Sequence, residues 1–154
     1  MSARRAKLAV VGAAGCVAAA LALPGALAYT KPGAIRITDV ETSHTYVDQG
    51  VKGKSPGDID VYRSNLYNRR ITTKALGHAD MVCTTIAPTA QHCDATYFLP
   101  RGELVVSGVI QSRFIYILPV TGGTEYYNNA RGTLTVTSLR RSPTRELLVF
   151  RLVL

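Results

Sequence analysis

Two aspartates and a tyrosine alternate with apolar residues in the stretch Asp58-Ile59-Asp60-Val61-Tyr62. Successive side chains of a β-strand point to opposite faces, so Asp58, Asp60 and Tyr62 share one face if this stretch is extended. Two neighbouring carboxyls tend to separate their pKa values, which leaves one as a general acid and the other as a base. We therefore take these three residues as candidate catalytic groups. The alternative is an ordinary solvated strand face.

The second chemical signal is tyrosine, because all eight tyrosines follow residue 28 and the sequence contains no tryptophan. A buried tyrosine offers an apolar ring and a hydroxyl, which suits a cavity that orients a small, mostly apolar ligand. We place Tyr62, Tyr97, Tyr116 and Tyr126 near such a cavity. Tyrosine also simply favours strands, and that alternative stays open for each residue.

Other constellations point to no cofactor. The three histidines, His44, His78 and His92, lack the spacing of metal ligands, so no metal site is predicted. Neither a nucleophile elbow nor a complete phosphate-binding loop is present. The net charge is +8, but the basic residues are scattered and form no recognisable nucleic-acid module. We expect no nucleic-acid partner.

The first 28 residues differ in kind from the rest. Arg4, Arg5 and Lys7 precede an apolar run rich in alanine that ends at Pro24-Gly25, which is typical of a secretory signal peptide. Small residues at Ala26 and Ala28 predict cleavage after Ala28 and a secreted domain at 29–154 that has no membrane attachment. An uncleaved membrane anchor and lipidation at Cys16 are the alternatives.

Removal of the leader leaves Cys83 and Cys93 as the only cysteines. An even cysteine count in an exported chain favours a disulfide. If 81–87 and 93–99 form a hairpin, the two cysteines lie nearly opposite each other on neighbouring strands, at a separation that permits a bridge. A redox pair or a metal site would need CxxC-like spacing or further ligands.

The sequence predicts that strands carry the candidate catalytic and ligand-binding residues. Short runs rich in β-branched and aromatic residues alternate with glycine, proline, asparagine and aspartate from residue 34 to the carboxyl terminus, which indicates eight or nine strands in a barrel or a sandwich. One of the shorter runs is Arg70–Lys74. The last run, Leu147–Leu154, is apolar on both faces, so as an exposed edge it would promote aggregation. Pairing with the first strand in a closed barrel removes that edge.

Several short motifs resemble those of the allene oxide cyclase and dirigent-like barrels. They are Val120–Gly132, with its Gly-Gly-Thr turn and its Ala-Arg-Gly tripeptide, and Leu99-Pro100-Arg101-Gly102 upstream. Glu125 and Asn129 stand where that family often has glycine. Glycine at a turn permits a positive φ, so replacement by Glu125 weakens any inference that needs such a backbone there.

The resemblance implies an all-β fold, an eight-stranded antiparallel up-and-down β-barrel at 29–154. It also implies cofactor-free control of a small apolar ligand, whose cyclisation, isomerisation or stereoselective coupling the barrel directs by orientation. Arg131, inside the motif, is a candidate ligand-binding residue, although a structural role for it is also open. Plant members are trimers, so a homo-oligomer, trimeric or dimeric, is expected. A binding module without catalysis and a filled structural barrel are the alternatives.

Overall fold

The computed structural model describes residues 33–153, so the predicted leader and its cleavage site lie outside the described residues. Eight strands follow one another, with a single 3-10 turn, η1 (Glu125–Tyr127), before the seventh. The strands are β1 (Gly33–Val47), β2 (Ile59–Asn68), β3 (Gly77–Ala87), β4 (Ala90–Leu99), β5 (Gly102–Ile110), β6 (Ile115–Gly123), β7 (Arg131–Arg141) and β8 (Thr144–Val153). None of the residues from 33 to 153 forms a helix long and apolar enough to cross a membrane.

Each strand pairs antiparallel with the next, and β8 pairs with β1, which closes an up-and-down barrel. The predicted eight-stranded barrel is confirmed. The carboxyl-terminal strand lies between β7 and β1, with Leu148 opposite Ile37 on one side and Val136 on the other. Closure therefore satisfies both hydrogen-bonding edges of the carboxyl-terminal strand, whose Leu147–Val153 segment is largely apolar.

The predicted strand at Arg70–Lys74 is wrong, because this segment lies in the loop between β2 and β3. Ile71 has a φ of 54°, which is not compatible with an extended strand. The side chain of Asn68 accepts a hydrogen bond from the backbone N–H of Thr72 and donates one to its hydroxyl. Local hydrogen bonds of an asparagine thus override the β propensity of this run.

Apolar side chains fill one half of the barrel interior. We call the end where β1 begins and β8 finishes the closed end, and the other end the open end. The side chains that fill the closed half are apolar and almost entirely inaccessible to solvent, and they include Leu66, Leu104, Val106, Leu118, Val120, Leu134, Val136, Leu148, Phe150 and Leu152. Inward positions in the open half are mostly polar or aromatic, and their side chains leave a cavity between them.

The predicted disulfide joins Cys83 on β3 to Cys93 on β4. The two residues are direct partners in the ladder, with Cα atoms 4.0 Å apart, and the strands are joined by the turn Pro88-Thr89. The hairpin is longer than predicted, because β4 begins at Ala90 and not at Cys93. Both cysteines are buried, so the bridge lies in the barrel wall on its inner side.

The family-like motif forms the turn between β6 and β7 at the closed end. Glu125 and Asn129 both have positive φ values, 51° and 62°, so the backbone keeps there the conformation that glycine would adopt without strain. Gly132 has a φ of 142°, and a Cβ on it would lie 1.9 Å from the carbonyl oxygen of Arg151. The final hairpin can therefore close only with glycine at this position.

Replacement of Gly132 by alanine should destabilise the barrel by about 2–4 kcal/mol, because the new methyl group pushes β7 away from β8 and the backbone conformation is strained. The matched control is Gly122→Ala, whose Cβ would meet nothing within 4 Å and should change stability by less than about 0.5 kcal/mol. Urea unfolding of the oxidised protein measures both. Equal stability of the two variants would contradict this account of the hairpin.

Candidate functional site

A cavity of about 720 Å³ occupies the open half of the barrel. Its wall is unusually rich in polar and aromatic side chains for the interior of a small barrel, in which packed apolar side chains are the norm. The chemically versatile lining residues are Asp39, Glu41, His44, Tyr62, Ser64, Gln91, Tyr97, Arg113, Tyr116, Arg140 and Glu146. The volume suits one small organic ligand.

Two carboxyl groups lie deep in this cavity. Asp39 on β1 and Glu146 on β8 are direct ladder partners, and the Asp39 residue is only 8 % exposed. Burial raises the pKa of Asp39 to about 7, the Ser64 hydroxyl opposes this rise, and the nearby Glu146 and Glu41 add to it. Burial also raises the pKa of Glu146. Because the pKa of Asp39 is about 7, a fraction of its carboxyl groups is protonated near neutral pH. The protonated carboxyl is a proton donor in a ligand-sized cavity.

Two tyrosines stand beside the carboxyls. The Tyr116 hydroxyl donates to Glu146 Oε2 over 3.3 Å, and Tyr97 packs edge-to-face against Phe150 with ring centroids 5.1 Å apart. Burial raises the pKa of both phenols well above the usual value for tyrosine. They stay neutral at physiological pH, so they serve as hydrogen-bond donors and as aromatic walls.

A histidine held by an aspartate lines the cavity nearer the open end. His44 Nε2 lies 2.6 Å from Asp60 Oδ1, and the Gln91 amide donates to Asp60 Oδ2 over 2.5 Å. Because a carboxylate only accepts hydrogen bonds, Nε2 carries the proton in this pair, and Nδ1 of a neutral imidazole is left as an acceptor. The imidazole stacks on the Tyr62 ring, with centroids 4.4 Å apart. This arrangement fixes the ring position and the tautomer of His44.

The first of the predicted catalytic aspartates has a different environment. Asp58 is inaccessible to solvent and does not line the cavity. Its carboxylate accepts hydrogen bonds from the Tyr46 hydroxyl, at 2.6 Å, and from the backbone N–H groups of Ser55 and Gln49. These bonds, the Tyr46 bond above all, lower the pKa of Asp58 to about 2. Asp58 therefore fastens the loop between β1 and β2 to the open end.

The structure separates the predicted ligand residues into two groups. Tyr62, Tyr97 and Tyr116 line the cavity. Tyr126 lies at the closed end, half exposed, beneath the guanidinium of Arg101, which is 3.3 Å from its ring centroid. Arg131 is at the same end, where it donates to the carbonyl oxygens of Thr121 and Ala130. These two residues thus stabilise the turn between β6 and β7, far from the cavity.

The sequence reasoning missed Asp39, Glu146 and His44. A signal for the first two was present: Asp39 is in phase with Ile35 and Ile37 on β1, and Glu146 with Leu148 and Phe150 on β8. An acid that continues an apolar, inward-facing row is a candidate for a buried carboxyl. His44 carried no such signal, because an irregularity between Glu41 and Ser43 shifts the register that brings it opposite Tyr62.

Within residues 33–153, no group of three or more histidine, cysteine or acidic side chains is arranged to hold a metal ion. The groups available in the cavity are carboxyls, phenols, an imidazole and guanidinium groups. Such groups can donate and accept protons and can orient a ligand.

The sequence matches no protein-family model and no curated protein. Solved structures do share the fold. A pyocyanin demethylase superimposes with a TM-score of 0.68 at 22 % sequence identity, over 79 % of this chain and 100 % of its own. The pterocarpan synthase dirigent protein GePTS1 gives a TM-score of 0.67 at 14 % identity, over 84 % of this chain and 93 % of its own.

A third similar structure is the Diels Alderase AbmU from Streptomyces koyangensis, with a TM-score of 0.62 at 17 % identity, over 78 % of this chain and 64 % of its own. At these identities the likeness establishes the fold alone. The chain has the barrel of dirigent proteins and of certain cyclases, as its motifs indicated. The same barrel carries proteins with different named chemistries, so the function must be argued from this cavity.

The raised pKa of Asp39 makes the stability of the protein depend on pH. Between pH 4 and 7 the folded form binds a proton that the unfolded form has lost, so stability should fall as pH rises through this range. The difference between 3.8 and about 7 corresponds to at most roughly 4 kcal/mol. Asp39→Asn should remove most of this loss and should therefore be more stable than the wild type at pH 8.

Urea unfolding at pH 4.5 and pH 8 tests the prediction. Asp94→Asn is the control, because that carboxylate is exposed. The same pH dependence in wild type and Asp39→Asn would show that Asp39 is ionised in the folded protein across this range, contrary to its burial.

Proposed function

We propose that this protein binds a small, largely apolar molecule in the barrel cavity and directs its cyclisation, isomerisation or stereoselective coupling. One observation carries the proposal: Asp39, a buried carboxyl with a pKa near neutrality, faces a ligand-sized cavity with aromatic walls. A buried protonated acid beside a bound ligand stabilises negative charge that develops on an oxygen or nitrogen of that ligand. The named activities of the similar structures support a role in small-molecule chemistry.

Orientation is the main contribution that the cavity would make. Tyr62, Tyr97 and Tyr116 offer aromatic surface on different strands, while the packed closed half beneath forms a rigid floor. A flexible ligand held between these surfaces is restricted to few conformations, and a unimolecular closure or a coupling then follows one stereochemical course.

Proton transfer would complete the reaction. Asp39, with Glu146 and Tyr116 beside it, is the proposed acid, and His44 is the proposed base. Asp60 acts through His44 as a positioning residue, since its carboxylate is held by Gln91 and does not itself line the cavity. For Asp58 we propose a role in anchoring the loop, not in the reaction.

Binding of N-phenyl-1-naphthylamine, an uncharged fluorescent probe, tests the cavity. The wild type should bind one probe per barrel, and Met81→Trp should weaken binding at least tenfold, because Met81 lines the cavity and the larger side chain fills it. Val82→Trp is the matched control, since the neighbouring side chain points outward and is 45 % exposed. A folded wild-type protein that binds no probe would favour the filled, structural barrel.

Displacement of the probe by phenols, oxylipins and polyketide-like lactones then identifies candidate substrates, whose conversion separates an enzyme from a binding protein. Asp39→Asn should keep probe affinity within about twofold and should lower turnover by about 10²–10⁴-fold, as loss of a general acid does. Unchanged turnover in this variant would remove Asp39 from the mechanism. Bound ligands that are never converted would favour the binding module.

We also propose that the chain is exported, that cleavage after Ala28 releases the domain at 29–154, and that the domain is a homo-oligomer. The Cys83–Cys93 disulfide supports an oxidising compartment. An exposed outer surface supports oligomerisation. Ile115, Ile117 and Pro119 on β6 lie beside three threonines of β7, Thr133, Thr135 and Thr137, and Arg151 of β8 borders these threonines. Exposed apolar faces of this kind commonly bind protein.

Ile117→Glu should convert the oligomer to a monomer, because a carboxylate at a side chain that is now 61 % exposed would be buried without a partner in an interface. Val61→Glu, on the outer face of β2, is the control. Sedimentation velocity at several protein concentrations measures the change. A wild-type protein that sediments as a monomer throughout would overturn the proposed assembly.

A further inference from the structure

A second, smaller hollow of about 300 Å³ opens beside the mouth of the cavity. It lies between the β1–β2 loop, the β3–β4 turn and the segment after β5, and we call it the side groove. Gln91, Ile110, Gln111 and Arg113 line both the side groove and the main cavity. The two spaces therefore adjoin, and one ligand can occupy both.

All the charged side chains that line the side groove are basic. Its charged lining residues are Lys54 and Arg113, and no acidic side chain lines it. Within residues 33–153, neither Lys54 nor Arg113 forms a salt bridge. The carboxylates of Asp48 and Asp58 bind backbone N–H groups of the loop that carries Lys54, but they form no salt bridge with it. Two cations without a salt-bridge partner raise the local positive potential and attract an anion.

Charge is thus distributed unevenly along the barrel axis. The deep part of the cavity contains Asp39 and Glu146, and Glu41 lies two residues nearer the open end on β1. The three arginines of the lining, Arg113, Arg140 and Arg141, surround the mouth. The charge of Arg113 opposes the rise in the pKa of Tyr62, which places its guanidinium within electrostatic reach of the Tyr62 phenol. An anionic group is attracted by the guanidinium groups at the mouth, whereas no basic side chain lines the deep part of the cavity. One orientation of a charged ligand is therefore favoured.

The Lys54 side of the groove is held in place. Lys54 adjoins Ser55, whose backbone N–H and hydroxyl both donate to Asp58. The Asp58 carboxylate also holds Gln49 at the other end of the same loop. Asp58 thus positions the loop that presents Lys54 to the groove, which gives this buried aspartate a function that needs no contact with the reacting atoms.

We propose that the side groove is an anion subsite, and that the ligand of this barrel is an amphiphilic anion whose carboxylate or sulfonate binds Arg113 and Lys54 while its apolar body fills the main cavity. The inference rests on the proposed function, since it assumes that the cavity holds a small molecule. Arg113 supplies paired N–H donors to the oxyanion, and Lys54 supplies a further charge.

Two fluorescent probes that differ by one sulfonate test the subsite: 8-anilinonaphthalene-1-sulfonate and the neutral N-phenyl-1-naphthylamine. In the double variant Lys54→Gln, Arg113→Gln, the dissociation constant of the anionic probe should rise at least tenfold, while that of the neutral probe should stay within twofold. The control variant Arg36→Gln, Lys74→Gln has the same net charge change at exposed positions outside both spaces. It should leave both dissociation constants unchanged.

Each other outcome overturns a distinct claim. Equal weakening of both probes in the double variant would show that Lys54 and Arg113 shape the cavity and do not select charge. If the dissociation constant of the anionic probe rises equally in the test and control variants, the cause is the overall charge of the protein and not the subsite. Unchanged binding of both probes in the double variant would remove the subsite and leave the cavity intact. Failure of the wild type to bind either probe would instead refute the proposed function.

Discussion

The pairing of β8 with β1 is the constraint on which the rest of the molecule depends. It satisfies both edges of the carboxyl-terminal strand and closes the barrel, so that Leu148, Phe150 and Leu152 join the core of the closed half. The same ladder brings Asp39 opposite Glu146. One set of backbone hydrogen bonds therefore determines both the stability of the barrel and the acidity of its cavity.

The barrel divides its interior between two tasks. In the closed half, apolar side chains exclude solvent and form a rigid floor, and the glycine-dependent turn before β7 lets the last hairpin close over them. In the open half, the inward positions carry carboxyl, phenol and imidazole groups around a space that no side chain fills. Burial raises the pKa values of Asp39 and Glu146, which suits these carboxyls to proton donation.

Groups outside the cavity determine how it is used. Asp60 acts on His44, and Asp58 acts on the loop that carries Lys54, although neither aspartate lines the cavity. Asp39 and Glu146 lie deep and the guanidinium groups lie at the mouth, so the charges that line the cavity are distributed asymmetrically along the barrel axis. Proteins of this barrel with very different named chemistries share the scaffold, and such differences in lining and charge are where their functions can diverge.

The all-β fold, the disulfide pairing and the shared face of Asp60 and Tyr62 were predictable from the sequence, because they follow from strand periodicity and from contacts between neighbouring strands. It also indicated the closure of the barrel through the apolar faces of its last strand. Even Glu125 kept the turn that the motif requires, with a positive φ of 51°.

The surroundings of each polar group depend instead on contacts between distant parts of the chain. Asp58 lies just before β2 and Asp60 lies within it, so the two predicted partners have different surroundings. Asp58 is enclosed by Tyr46 and Ser55, and Asp60 by His44 and Gln91. Asp39 and Glu146 are 107 residues apart and meet only when β8 pairs with β1. Tyr126 and Arg131 belong to a recognisable motif, but the strand directions place them at the end opposite the cavity. Desolvation and long-range pairing set these roles, and neither is encoded in local spacing.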